Sequence, residues 1–318
     1  MICGVDVCSE RLDAQLGTSG VCKSFSNDPA GISALADFCR EHKVQMLAME
    51  ASGGYERLAF GLLWSMGIPV AILNARSVRK FAQAMHLFEK TDRIDAGVIA
   101  WYAETKKVVA TPPHSVQQQQ LKALVTRLRQ LTAMRAMERN HRTLVTDSAV
   151  LASLHQVLVL LNGQIKELEK QIVDLISSDP VWAKLESAFR SIKGVANRTV
   201  ACLMAELPEI GTLSNKKISK LVGVAPLADD SGKHKGKRRI YGGRKEIRGI
   251  LYIIVTCISR HNKDFSAFKE RLTAAGKPNK VIRIALAHKL LIRLNAKARD
   301  MRQTLDQLNG PHGLCLIP

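Results

Sequence analysis

The first hundred or so positions alternate short apolar runs with longer helical repeats. "MICGVDV" (1–7) is a short apolar run broken by Asp6. "RLDAQLG" places Leu12, Ala14 and Leu16 on one side at a period of two, and "VCKSFSN" reads as a third strand. The short connections between them predict an antiparallel meander. Asp28 then stands as an N-cap before Pro29, which suits a first helical position. "VQMLAME" predicts a buried strand ending at Glu50, "GYERLAFGLLWSMG" a helix closed by Gly67, and "IPVAILN" a further strand. "SVRKFAQAMH" is helical, and "TDRIDAGVIAWYAETK" is a helix capped by Thr91.

Three antiparallel strands followed by helix, strand, helix, strand and helix is the element order of an RNase H-like fold. The middle of the chain is all helix. Leu121, Leu124, Leu128 and Leu131 recur at alternating spacings of three and four. Leu154, Leu158, Leu161, Ile165, Leu168, Ile172 and Leu175 keep the same repeat without a break. Such a seam predicts a helical hairpin or a coiled coil, within one chain or between subunits. "SSDP" (177–180) marks a boundary, after which amphipathic helices predominate. The predicted architecture is α/β plus all-α. Residues 1–112 form an RNase H-like domain, 113–178 a helical hairpin or coiled coil, and 179–318 a mainly helical, basic domain.

Composition adds a partner. With 318 residues and 46% hydrophobic positions, the chain can bury a sizeable core, and 5% aromatics makes that core aliphatic. No uninterrupted apolar run has the ~18 residues of a membrane span, and the N-terminal stretch has no basic leader, so neither a membrane segment nor a signal peptide is expected. Seven scattered cysteines without a CxxC pair predict reduced thiols in a cytoplasm and no zinc site. The net charge of +19 is unevenly placed: Lys and Arg equal Asp and Glu over residues 1–110, whereas residues 179–318 carry 27 against 11. That excess predicts a polyanionic partner.

Four acids stand out by position. Asp6 lies in a central apolar strand, where a charge is costly unless paired or metal-bound. Glu50 ends the next buried strand, and Asp92 and Asp95 lie three apart at a helix start, offset by ~4.5 Å along its axis. An RNase H-like fold brings these positions to one edge, where four carboxylates cannot all ionise without a cation. Oxygen ligands without His or Cys select Mg²⁺ or Mn²⁺. Taken singly, Asp92 is an ordinary helix-dipole charge and Glu50 an ordinary sheet-end residue. Glu89, Glu104, Asp13 and Glu56 read as solvated.

The second feature is "LADDSGKHKGKRRIYGGRKEIRG" (227–249), in which one serine, Ser231, precedes eight basic residues. Asp230-Ser231-Gly232 is ordinary turn chemistry, and Lys233, Lys235, Lys237, Arg238, Arg239, Arg244, Lys245 and Arg248 form a phosphate-binding run. Beside a metal site, the same run could bring a phosphate to Ser231. Gly232, Gly236, Gly242 and Gly243 predict a mobile loop, and Asp229 and Asp230 have no assigned role. Lys193 and Gly194, in "IKGVANRTV", fit a phosphate-binding turn of a helix-hairpin-helix or a plain connection.

The blocks "GVDV", "MEASGGY", "KTDRIDA", "GVAPLADDSGKHKGKRRIYGGRKEIRGILY" and "AHKLLIRLNAKAR", in that order, resemble the DEDD transposases of the insertion-sequence families one-ten and eleven-eleven, also called bridge recombinases. The resemblance covers nearly the whole chain, and Ser52 stands where that family more often has Thr. It implies a RuvC-like domain, a coiled coil and a C-terminal transposase domain carrying a nucleophilic serine. It implies site-specific DNA recombination in a prokaryotic cytoplasm, at the nucleoid, on donor and target duplexes, guided by a structured noncoding RNA and performed by a homo-oligomer, a dimer of dimers. Its acidic tetrad falls on Asp6, Glu50, Asp92 and Asp95, and its serine on Ser231. The alternatives are a RuvC-like, Mg²⁺-dependent junction nuclease, in which Ser231 is only a loop residue, and a non-catalytic nucleic-acid scaffold.

Overall fold

The computed structural model describes residues 1–18, 20–87, 92–232 and 234–309. These form two compact units, Met1–His114 and a second that begins at Ser115. Thr91 and Glu89, assigned above to a cap and to solvent, lie outside the described residues, as do Lys233 and Cys315.

In the first unit the elements run β1 (Ile2–Val7), β2 (Arg11–Leu16), β3 (Cys22–Ser26), α1 (Pro29–Glu41), β4 (Met46–Glu50), α2 (Glu56–Ser65), β5 (Val70–Leu73), α3 (Ala75–Ala84) and α4 (Asp92–Thr105). The sheet order is β3-β2-β1-β4-β5. Short turns pair β1 with β2 and β2 with β3 antiparallel. The helical crossovers through α1 and α2 make β1–β4 and β4–β5 parallel. Asp28 caps α1 as the sequence predicts, its carboxylate accepting from the Gly31 N–H at 2.8 Å. That bond, followed by one from Ser26, holds the Asp28 carboxyl below its usual range.

The period-two alternation assigns the two faces. Cys3, Val5, Val7, Leu12, Leu47, Met49 and Val70 are buried with α1 and α2. On the other face Ala48, Ala71 and Leu73 are buried with Val78 and Ala82 of α3 and with Val98, Ile99 and Ala103 of α4. Gly4 lets α4 lie directly on β1: a Cβ there would sit 2.0 Å from the Ala96 carbonyl oxygen. Beyond α4, the Thr111 N–H donates to the Val70 carbonyl at the start of β5. The helix therefore runs against β1, and its first turn lies towards the end of β1 that carries Asp6.

The second unit holds α5 (Val116–Arg142), α6 (Ser148–Ser177), α7 (Pro180–Arg190), α8 (Asn197–Glu206), α9 (Asn215–Val222), β6 (Asp230–Ser231), β7 (His234–Lys235), α10 (Lys245–His261), α11 (Lys263–Ala274) and α12 (Asn279–Asn309). Leu121, Leu128 and Leu131 of α5 are buried with Leu161, Ile165 and Ile172 of α6, the residues that carry the three-four repeat. Leu168 and Leu175 pack at the margin of this core. The same core continues into α7, α8, α10 and α12. Gln118 of α5 ties in α8 by donating to the Met204 carbonyl at 2.8 Å, and Arg198 pairs with Glu169 of α6. Among the described residues α6 is the one helix long and apolar enough to cross a membrane by length and composition. Four of its side chains, Leu161, Ile165, Ile172 and Ile176, are buried against helices of this unit.

Candidate active site

Strand register gathers the acids of the first unit. Asp6 and Gly4 share the face that α4 covers, because they are two apart on β1. Gly4 pairs with Ala48 and Val5 with Met49, so Glu50 is next in register beside Asp6. Adjacent strands lie ~4.8 Å apart. Asp95 precedes Ala96, whose carbonyl overhangs Gly4. Asp92 opens α4, and its side chain lies outside the described set. The backbone thus brings all four acids to one end of one face. Among the described residues, no three Asp, Glu, His or Cys side chains come close enough to hold an ion. An all-carboxylate donor set on neighbouring strand ends nevertheless fits a hard divalent cation in kind.

The structure corrects the reading of Asp13. It pairs directly with Asp6 across the β1–β2 ladder, and its side chain is only 16% exposed. Arg11 Nε donates to its carboxylate at 2.8 Å, and Ser24 Oγ donates to the other oxygen. A polar cavity of about 540 Å³ opens here, lined by Arg11, Asp13, Gln15, Cys22, Ser24 and Ala96. Glu56 is not simply solvated either. Its Oε2 accepts from the Ser52 and Gly54 N–H groups at 3.0 and 2.9 Å, fixing the loop that follows Glu50. Glu104 is exposed as expected.

Ser231 occupies a defined place in the second unit. The segment expected to be a loop folds into a β-hairpin, because its two arms satisfy each other's backbone. The Leu227 N–H donates to Arg239, the Gly236 N–H to Asp229, and Ser231 is the cross-strand partner of His234. The tip turns through Gly232, whose φ of +54° favours glycine. Ser231, Asp229 and Asp230 are exposed, as are Lys237, Arg238 and Arg239 on the returning arm. The side chains of His234 and Lys235 lie outside the described set.

The remaining basic positions divide by what they touch. Arg244 holds Glu209 through two bonds of 2.6 and 2.5 Å and reaches the Glu206 carbonyl at 2.8 Å. Arg248 donates to the Gly242 carbonyl. Both fasten the hairpin's base, while Lys245 is exposed at the start of α10. Lys193 is exposed in the turn before α8. Gly194 there has φ +101° against Ile258, and the α8 N-cap, Ala196, supplies no side-chain bond to the helix N–H groups.

Known proteins share both units. A family model described as a transposase, of the DEDD type, matches residues 3–169. A second, described as transposase of the IS116/IS110/IS902 family, matches residues 186–270. The chain is 26% identical over 311 residues to the pilin gene-inverting protein of Moraxella lacunata, covering 94% of this chain and 96% of that one. It is 25% identical over the same span to the pilin gene-inverting protein of Moraxella bovis, with the same coverage.

Proposed function

The chain belongs to the IS116/IS110/IS902 family of transposases, and from that premise we propose that it is a site-specific DNA recombinase whose nucleophile is Ser231. One observation carries the reading: Ser231 is exposed at the tip of a hairpin whose returning arm bears Lys237, Arg238 and Arg239. Those cations, with Lys233, Lys235 and Lys245, would neutralise a phosphate and the charge developing on it during attack. Lys193 and Gly194 offer a further backbone contact, and Arg244 and Arg248 keep the hairpin in place.

The first unit is read as an RNase H-like, RuvC-like catalytic domain. Its β3-β2-β1-β4-β5 order supports that reading, as does the row formed by Asp6, Glu50 and the first turn of α4. Mg²⁺ or Mn²⁺ held by Asp6, Glu50, Asp92 and Asp95 would supply positive charge beside the scissile phosphate. In the reaction, Ser231 Oγ forms a bond to phosphorus and loses its proton to solvent. The bond from phosphorus to the leaving strand's oxygen breaks, and that oxygen takes up a proton to become a free hydroxyl. One phosphodiester replaces another, so rejoining to a new partner needs no ATP.

The finer identity rests on the resemblance of the sequence blocks. It comprises donor and target duplexes, a structured noncoding RNA that guides pairing, and a homo-oligomeric dimer of dimers. The competing reading, hydrolysis by a RuvC-like nuclease, needs the acids but not the serine. Recombination of two DNA substrates, with and without the RNA, followed on a denaturing gel, separates the two. The recombinase reading expects RNA-dependent products and a protein–DNA adduct, both lost in Ser231→Ala while nucleic-acid binding persists. Cleavage that survives in Ser231→Ala, without an adduct, would establish the nuclease instead.

A further inference from the structure

The contact of α11 with α12 gathers three cations around two aromatic rings. Phe265 is fully buried and Phe268 partly so. The Arg271 guanidinium lies 5.1 Å from the Phe268 ring centre. Lys289 Nζ lies 4.7 Å from Phe268 and 5.2 Å from Phe265. The Arg293 guanidinium lies 5.0 Å from Phe265. Three cations are thus racked on two rings, each within the ~6 Å reach of a cation–π contact.

Among the described residues, the carboxylate of Asp264 answers them. Arg293 donates to Asp264 Oδ2 at 2.8 Å, and Lys289 Nζ donates to the Asp264 backbone carbonyl at 2.9 Å. The other acid of α11, Glu270, accepts from Ser266. Along α12, Lys289, Arg293 and Lys297 recur every four residues, a spacing at which like charges on a helix repel. Burial and then the neighbouring Arg293 pull the Lys289 ammonium below its usual range. Apolar residues could cover the two rings without this repulsion. The cluster therefore has the composition of a site completed by an anion: planar guanidinium forks beside an ammonium, held by packing and only partly neutralised.

We infer that the α11–α12 face is a phosphodiester-backbone subsite in which Arg271, Lys289 and Arg293 grip nucleic acid at a second place besides the Ser231 hairpin. Only the nature of the polyanion rests on the recombinase reading; Ser231 plays no part. Duplex DNA and structured RNA share this chemistry, and the test distinguishes them.

The test is equilibrium binding of a duplex DNA fragment and, separately, a stem-loop RNA across a series of NaCl concentrations. The protein carries Lys289→Met together with Arg293→Met, which keep apolar stems on the rings and remove both charges. For the source that uses the site, affinity should fall roughly tenfold, with the log–log salt slope lower by about 1.8 for duplex and about 1.4 for single-stranded contacts. Unchanged affinity and slope for both nucleic acids overturn the inference. If the double variant does not fold, exposed Arg271→Gln gives the same reading with about half the slope change. Because the readout is binding, an absent serine adduct leaves the result intact, so the two proposals fail independently.

Discussion

Asp6 and Asp13 face each other across the antiparallel β1–β2 ladder, and Asp13 is held there by Arg11 and Ser24. Like charges directly opposed on a sheet destabilise it. Asp6→Asn should therefore raise the melting temperature of the protein, by the equivalent of ~0.2–1 kcal/mol, while reducing DNA cleavage by about 10²–10³-fold. Asp13→Asn should retain cleavage. Thermal melting and a cleavage assay on the same preparations check both halves. Equal loss of activity in the two variants would show that Asp13 belongs to the catalytic set.

The approach of α4 to β1 rests on Gly4, whose missing side chain would collide with the Ala96 carbonyl. Gly4→Ala should push the first turn of α4 away from Asp6 and Glu50. Overpacking of this kind costs ~1–3 kcal/mol. The expected outcome is a lower melting temperature together with lost cleavage and retained nucleic-acid binding, because the binding cations of the second unit are untouched.

The α5–α6 hairpin shares one core with the C-terminal helices, with Ile165 2% exposed within it. Ile165→Ala should cost ~2–5 kcal/mol and lower the denaturation midpoint of the whole second unit in one transition, followed by circular dichroism. A separate early transition for the hairpin would contradict a shared core.

Cys202 is pushed up to about 11 by burial and then by Glu206. The thiolate is the reactive form, so at pH 8 Cys202 should be alkylated far more slowly than exposed Cys8, Cys22 and Cys257. Its reactivity should rise as pH climbs towards that value. Mass spectrometry after timed alkylation reads each site.

Much of this was legible in the sequence because it is local. Asp28-Pro29 announces the start of α1, the period of two along Leu12, Ala14 and Leu16 announces β2, and the three-four repeat announces the hairpin. What escaped depends on partners distant in the chain. Asp13 looks like any polar alternation until β1–β2 register sets it against Asp6. Glu56 reads as a surface acid until Ser52 and Gly54 donate to it. Arg244 reads as a phosphate ligand until Glu209, 35 positions upstream, claims its guanidinium. The glycines around Ser231 read as a mobile loop because nothing in their composition reveals that Leu227 and Arg239 bond across it.

The most direct test of the Ser231 proposal is the chemical identity of the residue joined to DNA. A reaction with Mg²⁺ and cognate substrates is quenched in denaturant, digested with nuclease and protease, and read by tandem mass spectrometry. A Ser231 nucleophile predicts a phosphonucleotide on the peptide containing Ser231, on the serine itself, and none in Ser231→Ala. An adduct on any other residue, or cleaved DNA with no adduct, would contradict it.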